Sequence, residues 1–169
     1  WSDLYLADGG VIYFGNSQDI TLTHVSGDGL KLKNATSTAD GIEPALTFQA
    51  GDNDIAVDDI LGGMYFQAPD EVSGSDANLV AAGVEAVSEG DFSSISNATS
   101  LYFKTGNSET ATTKMKIQST GNVIMKNTAT TDDTPILLTL QTGESDMAAN
   151  DIIGAIQFQA PDEGTGTDA

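Results

Sequence analysis

The chain has 169 residues, with 25 acidic side chains against six basic ones and a formal net charge of -19. All six basic residues are lysines, so we expect no nucleic-acid partner, because phosphate contacts need a basic surface. Without cysteine there are no disulfides or thiolate metal sites, and without an apolar run near roughly 20 residues we expect no membrane insertion.

Short runs that alternate apolar and polar residues between Gly, Asp, Asn, Ser and Thr clusters predict an all-β chain. In chain order, the alternating apolar residues of these predicted strands are Leu46 and Phe48; Met64, Phe66 and Ala68; Leu101 and Phe103; Met115 and Ile117; Ile156, Phe158 and Ala160. Turns are predicted at Gly27-Asp28-Gly29, Gly51-Asp52-Asn53, Gly62-Gly63, Gly106-Asn107 and Gly121-Asn122. The segment 113–126 therefore reads as a strand, a tight turn and a second strand.

The segment 78–89 is ambiguous. As a strand it places Val80, Ala82, Val84 and Ala86 on one face; as a short helix it would begin after a cap at Asp76. We favour the strand, because Gly83 and the β-branched valines disfavour a helix.

Residues 46–77 return at 138–169, with 18 of 32 aligned positions identical, which predicts tandem copies of one structural unit. We predict the close of a divergent unit at 1–38, a complete unit at 39–127 and the start of the next at 128–169. The second copy stops at Ala169, where the first continues, so we expect a fragment of a longer array.

Several segments resemble the repeats of tail fibres and receptor-binding appendages of tailed bacteriophages, especially marine ones. The similar segments are LADGGVIYFGNSQDITLTHVSGDGLKLKN, GGMYFQAPDE, AAGVEAVSEGD, SLYFKTG and KMKIQSTGNVIMKN. In the family, the last hairpin often reads ERMRI followed by GNVGIG. Here Lys114 and Lys116 replace the arginines, and the second Gly-Ile-Gly is absent.

The resemblance implies tandem antiparallel β units that form an elongated shaft, in which three parallel chains associate as a homotrimer. It implies a place in the virion, in an extracellular tail appendage, and an adhesive tip elsewhere in the longer fibre that meets host surface glycans. A two- or three-stranded sheet cannot cover its own apolar face, so we expect the strand faces to associate between chains. Periodicity alone also permits a β-solenoid or a sandwich array.

The acidic loop at Asp52, Asp54, Asp58 and Asp59 is a candidate Ca²⁺ site, because hard cations bind converging oxygens. Its spacing does not fit an EF-hand, and in the second copy Asp52 becomes Glu144 and Asp58 becomes Asn150. We favour solvated turn carboxylates and expect no cofactor.

No catalytic residue is predicted. The pair Asp70 and Glu71 could serve glycoside cleavage, but it recurs as Asp162 and Glu163 in the same context, which favours a structural role. The single histidine, His24, supports no metal site, and no nucleophile elbow is present.

Two tyrosines, Tyr65 and Tyr102, could stack on sugars, although contact between chains is the favoured role. Asn34 and Asn97 begin glycosylation-type triplets of low specificity. The alternatives to a structural fibre are a carbohydrate-binding or adhesive module with Ca²⁺ in its acidic loops, and a tailspike-type glycan depolymerase.

Overall fold

The computed structural model describes residues 6–15, 18, 20–36, 43–68 and 76–159. Within these ranges the chain contains eight β-strands, one short 3-10 turn at Asp76–Asn78 and no α-helix, so the all-β prediction is confirmed. The strands are β1 Val11–Phe14, β2 Ile20–Val25, β3 Gly29–Asn34, β4 Ile60–Gln67, β5 Val80–Ser88, β6 Thr99–Thr105, β7 Thr112–Ile117 and β8 Val123–Met125.

The first sheet is antiparallel with the order β1-β2-β3. β2 and β3 form a hairpin in which Leu22 lies opposite Leu32. Its turn closes where the Asp28 N–H donates to the Val25 carbonyl, and Gly27 and Gly29 both have positive φ there. Glycine takes this conformation without a steric penalty, which confirms the turn predicted at Gly27-Asp28-Gly29.

The second sheet contains the other five strands in their chain order, β4-β5-β6-β7-β8, so each strand neighbours the next one along the sequence. β7 and β8 form the predicted hairpin, with Met115 opposite Met125. In its turn the Gly121 N–H donates to the Gln118 carbonyl, and Gly121 has a φ of 83°. The strands β4 and β8 are the two edges of this sheet.

The ambiguous segment 78–89 forms β5, so the strand prediction is confirmed. Its more buried face, however, carries Gly83, Glu85 and Val87, and the face of Val80, Ala82, Val84 and Ala86 is only half-buried. The predicted cap residue Asp76 begins the 3-10 turn that precedes the strand.

Two local predictions for the first repeat copy are wrong. Gly62-Gly63 lies inside β4 and forms no turn, and a Cβ atom at either glycine would clash with a neighbouring side chain. Leu46 and Phe48 lie in a segment that pairs with no strand among the described residues, so residues 46–49 are not a β-strand. Phe48 packs against β4 through its side chain instead.

In the second copy, the strand predicted around Ile156 and Phe158 does not form, because the segment 152–159 has no pairing partner; Ala160 lies outside the described residues.

Contacts along the backbone divide the chain into two compact units. Unit 1 comprises residues 1–65 and 84–101, and unit 2 comprises residues 66–83 and 102–169. The division into repeat units at 1–38, 39–127 and 128–169 stays a prediction. β1 to β3 fall within the first of those predicted segments, and β4 to β8 fall within the second.

Little apolar surface is buried. The fully buried apolar side chains among the described residues are Val87 and Ala111. The chain exposes 14043 Å² of accessible surface, against roughly 7,900 Å² expected for a compact monomer of this mass. Many large apolar side chains of the described residues are exposed, among them Leu30, Leu46 and Phe158.

No helix in the described ranges has the length and apolar character needed to cross a lipid bilayer.

Candidate functional site

The clearest surface feature of unit 1 is an apolar groove of about 360 Å³. We define it by six of its lining residues, Leu46, Phe48, Leu61, Met64, Val84 and Leu101. Leu46 is 71% exposed, and Phe48 and Met64 are about half exposed. Contiguous exposed apolar surface of this kind marks an interaction site more often than a single scattered side chain does.

Gly62 lets Phe48 approach the floor of this groove. A Cβ atom at Gly62 would lie 2.6 Å from the Cβ of Phe48, which is closer than non-bonded carbon atoms approach in proteins. The absence of a side chain at Gly62 therefore places the Phe48 ring against β4, although the two residues form no ladder hydrogen bonds.

Gly63 performs a similar role for Tyr65. A Cβ atom at Gly63 would lie 2.8 Å from the Tyr65 hydroxyl and 3.2 Å from Cγ of Glu85. The Tyr65 side chain thus folds back over its own strand beside Glu85, which is only 4% exposed. Tyr65 itself is 51% exposed.

Ser88 is the last residue of β5, and its hydrogen bonds hold the residues directly before β4. Its hydroxyl donates to the Ala56 carbonyl and accepts the Asp59 N–H at 2.9 Å. The backbones also pair, because the Ser88 N–H donates to the Asp59 carbonyl and the Asp58 N–H to the Ser88 carbonyl. Ser88 is 2% exposed, so water cannot replace these bonds.

Three of the four aspartates proposed as a Ca²⁺ site have separate local roles. Asp52 accepts the N–H of Asp54 at 3.0 Å, and Asp59 accepts the N–H of Ala56 at 2.7 Å. Asp58 has a φ of 70°, a left-handed conformation that Asp and Asn tolerate better than most residues. Among the described residues, no group of three or more His, Asp or Glu side chains could hold a metal ion.

His24 lies on β2, with its Nδ1 3.5 Å from a carboxylate oxygen of Asp8. Both side chains are more than a third exposed, so an ion pair here would contribute at most about 1 kcal/mol. The candidate pairs Asp70 with Glu71 and Asp162 with Glu163 lie outside the described residues.

Each asparagine of the glycosylation-type triplets accepts a hydrogen bond from the residue two positions later. The side chain of Asn34 accepts the N–H of Thr36, and the backbone carbonyl of Asn97 accepts the hydroxyl of Thr99. Tyr102 lies half-buried on β6, where the Lys116 ammonium is 5.9 Å from the centre of its ring.

Sequence reasoning missed the buried polar residues. Ser88, Ser100 and Glu85 are each at most 4% exposed, and the Ser100 hydroxyl donates to Glu89 at 2.5 Å. The only sequence signal was that Glu85 interrupts an otherwise small and apolar run. An alternating pattern assigns such a residue to the solvent face, whereas burial depends on which neighbouring strands cover it.

No protein-family model matches this chain, and no curated protein matches its sequence.

Proposed function

We propose that this chain is a structural segment of a viral tail fibre or appendage, which assembles by parallel trimerisation and spaces a host-adhesion tip from the virion. The observation that carries the proposal is the exposed apolar groove of unit 1, in a chain whose sequence at 46–77 returns at 138–169. The resemblance of the repeat segments to tail-fibre shafts supplies the biological setting.

The physical basis is incomplete burial. At about 25 cal/mol per Å², exposed apolar surface strongly favours association, and a second copy supplies the same kind of surface in the same geometry. Three chains wound in parallel would also cover the open edges of β4 and β8, which otherwise invite uncontrolled strand pairing. Association would then be part of folding, and stability would depend on protein concentration.

The molar mass in solution tests this proposal. Light scattering or native mass spectrometry should give three times the chain mass of 17.5 kDa. A folded particle of 17.5 kDa would contradict the proposal, because its apolar groove would then stay exposed in a stable monomer.

A pair of variants tests whether the groove is the contact surface. Leu46→Asp places a charge in the groove, and Ile95→Asp places the same charge at a site that is 95% exposed outside it. We expect Leu46→Asp to dissociate the assembly and Ile95→Asp to leave the mass unchanged. Equal masses for the two variants would place the interface elsewhere.

A further inference from the structure

The four lysines of unit 2 lie on the three strands β6 to β8 or directly after them, and three of these lysines line one hollow. We call it the lysine hollow and define it by Tyr102, Lys114, Lys116, Ile124, Lys126 and Thr128. Its volume is about 230 Å³. Its lining residues all belong to unit 2, and none of them lines the apolar groove of unit 1.

The register of the β7-β8 hairpin collects these side chains on one face. Lys114 and Lys116 are two residues apart on β7 and therefore point to the same side. Lys116 lies opposite Ile124, and the Lys126 N–H donates to the Lys114 carbonyl at 2.8 Å, which places Lys126 opposite Lys114. The methionines Met115 and Met125 pair on the other face.

Two of the three ammonium groups are held in place by neighbours. The Lys114 ammonium donates to the hydroxyls of Thr112, at 2.9 Å, and Thr128. The Lys116 ammonium lies over the ring of Tyr102, within the distance at which a cation is attracted to an aromatic face. A ligand would therefore meet lysines that have already lost much of their rotational freedom.

The charge pattern is unusual for this chain. Acidic residues outnumber lysines by 25 to six, yet within the described residues Lys114, Lys116 and Lys126 form no ion pair with any carboxylate. Like charges directly opposite one another, as at Lys114 and Lys126, are destabilising in a sheet. A face that keeps three lysines together, with no ion pair among the described residues, is suited to an anionic partner from outside the chain.

We propose that the lysine hollow binds one acidic sugar unit of an anionic polysaccharide, through a carboxylate or sulfate group. The ammonium groups of Lys114, Lys116 and Lys126 meet the anionic group. The Thr128 hydroxyl can exchange hydrogen bonds with sugar hydroxyls, and Ile124 and Tyr102 supply apolar contact for the ring. The hollow is smaller than the roughly 300–1,000 Å³ pockets of drug-sized ligands, which suits a single ring.

Nucleic acid fits these observations less well. Affinity for a nucleic acid grows with the number of phosphates that basic side chains neutralise, and the hollow offers three lysines on a chain of charge -19. An acidic sugar also offers hydroxyls and a ring face, which Thr128, Ile124 and Tyr102 can contact. This inference does not depend on the trimeric assembly proposed above.

The test uses the full chain and titration calorimetry with four probes of similar length. These are an oligogalacturonate, a sulfated heparin-derived oligosaccharide, a neutral malto-oligosaccharide and a single-stranded DNA. We expect one or both acidic oligosaccharides to bind, with an affinity that falls as salt rises, and the neutral one not to bind. The two acidic arms show whether carboxylate or sulfate is the preferred anion.

Matched variants locate the site. Lys114→Gln with Lys116→Gln removes a Lys-x-Lys pair from β7, and Lys31→Gln with Lys33→Gln removes the same pair from β3. Both double variants change the net charge equally. We expect the first to lose at least about tenfold in affinity for the acidic oligosaccharide, and the second to stay within about twofold.

Four outcomes would overturn the proposal. They are an equal loss in both double variants, no binding of either acidic oligosaccharide, DNA binding as tight as that of the sugars, and a change in assembly mass in the β7 variant. The last outcome would mean that the hollow contacts the acidic surface of a second copy of the chain. Circular dichroism of each variant checks that the β-sheet signal is retained.

Discussion

The two copies of the repeat, 46–67 and 138–159, are identical at 11 of 22 positions, and one short turn is the same in both. In the first copy, the Asp59 N–H donates to the Ala56 carbonyl at 3.3 Å, and the Asp59 carboxylate accepts the Ala56 N–H. In the second copy, Asp151 and Ala148 make the same two bonds, with the backbone bond again at 3.3 Å.

Beyond this turn the two copies differ. The first continues into β4, which pairs with β5, whereas the corresponding segment 152–159 forms no strand. Phe66 is 58% exposed, and its counterpart Phe158 is 95% exposed. The positions that would correspond to β5 begin 92 residues after Val80, beyond residue 169 of this sequence. The turn forms in both copies and is therefore a local property of the sequence, whereas β4 forms in the copy in which it pairs with β5.

The largest effect is expected when the second copy is given a strand equivalent to β5. A chain extended after Ala169 with a copy of residues 78–127 continues the second repeat in register. We expect residues 152–159 to form a strand and their amide hydrogen exchange to slow by on the order of a hundredfold. An extension with the same residues in shuffled order is the control. Unchanged exchange at 152–159 in the in-register chain would show that β5 is not what orders β4.

The second test removes the bonds that only the first copy has. Ser88→Ala leaves the Ala56 carbonyl and the Asp59 N–H without the hydroxyl, and the site is buried, so we expect a loss of about 1–3 kcal/mol. Urea unfolding at fixed protein concentration measures the loss. Ser93→Ala, at an exposed serine, is the control and should change stability by less than about 0.5 kcal/mol. A loss no larger for Ser88 than for Ser93 would show that the Ser88 hydroxyl does not hold the start of β4.

The local turn and the alternating strands could be predicted from sequence because they depend on neighbouring residues. The strand at β5 followed from the β-branched valines and Gly83, and the β7-β8 hairpin followed from Gly121-Asn122. The failures concern contacts between distant segments. Gly62-Gly63 has the composition of a turn, but it lies in a strand. There Phe48 and Tyr65 occupy the space that side chains at positions 62 and 63 would fill. No local pattern contains that information.

The presence of an exposed apolar surface could be predicted from the sequence, but its position could not. Uncovered apolar strand faces follow from thin units with few apolar residues, but the position of the groove depends on how Phe48 meets β4. The buried face of β5 was missed because Glu85 lies on it, and a glutamate normally indicates the solvent side. The lysine hollow requires the register of β7 on β8 together with the position of Tyr102.

A third test uses glycines at equivalent positions of the two copies. In Gly62→Ala the new methyl group would lie 2.6 Å from Cβ of Phe48, so we expect a loss of about 1–2 kcal/mol through overpacking. At the equivalent Gly154, a methyl group would meet no atom within 4 Å outside its chain neighbours, so Gly154→Ala should change stability by less than about 0.5 kcal/mol. Equal effects would mean that Phe48 does not pack on β4 in solution. Thermal unfolding at one protein concentration compares the two variants.

The smallest expected effects concern the turn that both copies form, in which Asp58 and Asp59 have different roles. Asp58 has a positive φ and is replaced by Asn150, which has a φ of 77°, in the second copy. We therefore expect Asp58→Asn to change stability by less than about 0.5 kcal/mol, because Asn tolerates this conformation equally well. Asp59→Ala removes the acceptor of the Ala56 N–H and should cost about 0.5–1 kcal/mol, at the low end because the bond is exposed.

The same two variants test the Ca²⁺ alternative. If the carboxylates act only in the turn, added Ca²⁺ should leave the melting temperature of the parent chain and of both variants unchanged. A rise in the melting temperature of the parent with Ca²⁺ that Asp58→Asn abolishes would instead make Asp58 a cation ligand. The Asn at position 150 would then mark a difference in metal binding between the two copies, because an amide oxygen carries no charge and binds Ca²⁺ more weakly than a carboxylate. Identical melting curves with Ca²⁺ and with a chelator leave the left-handed turn as the reason for an Asp or Asn at this position.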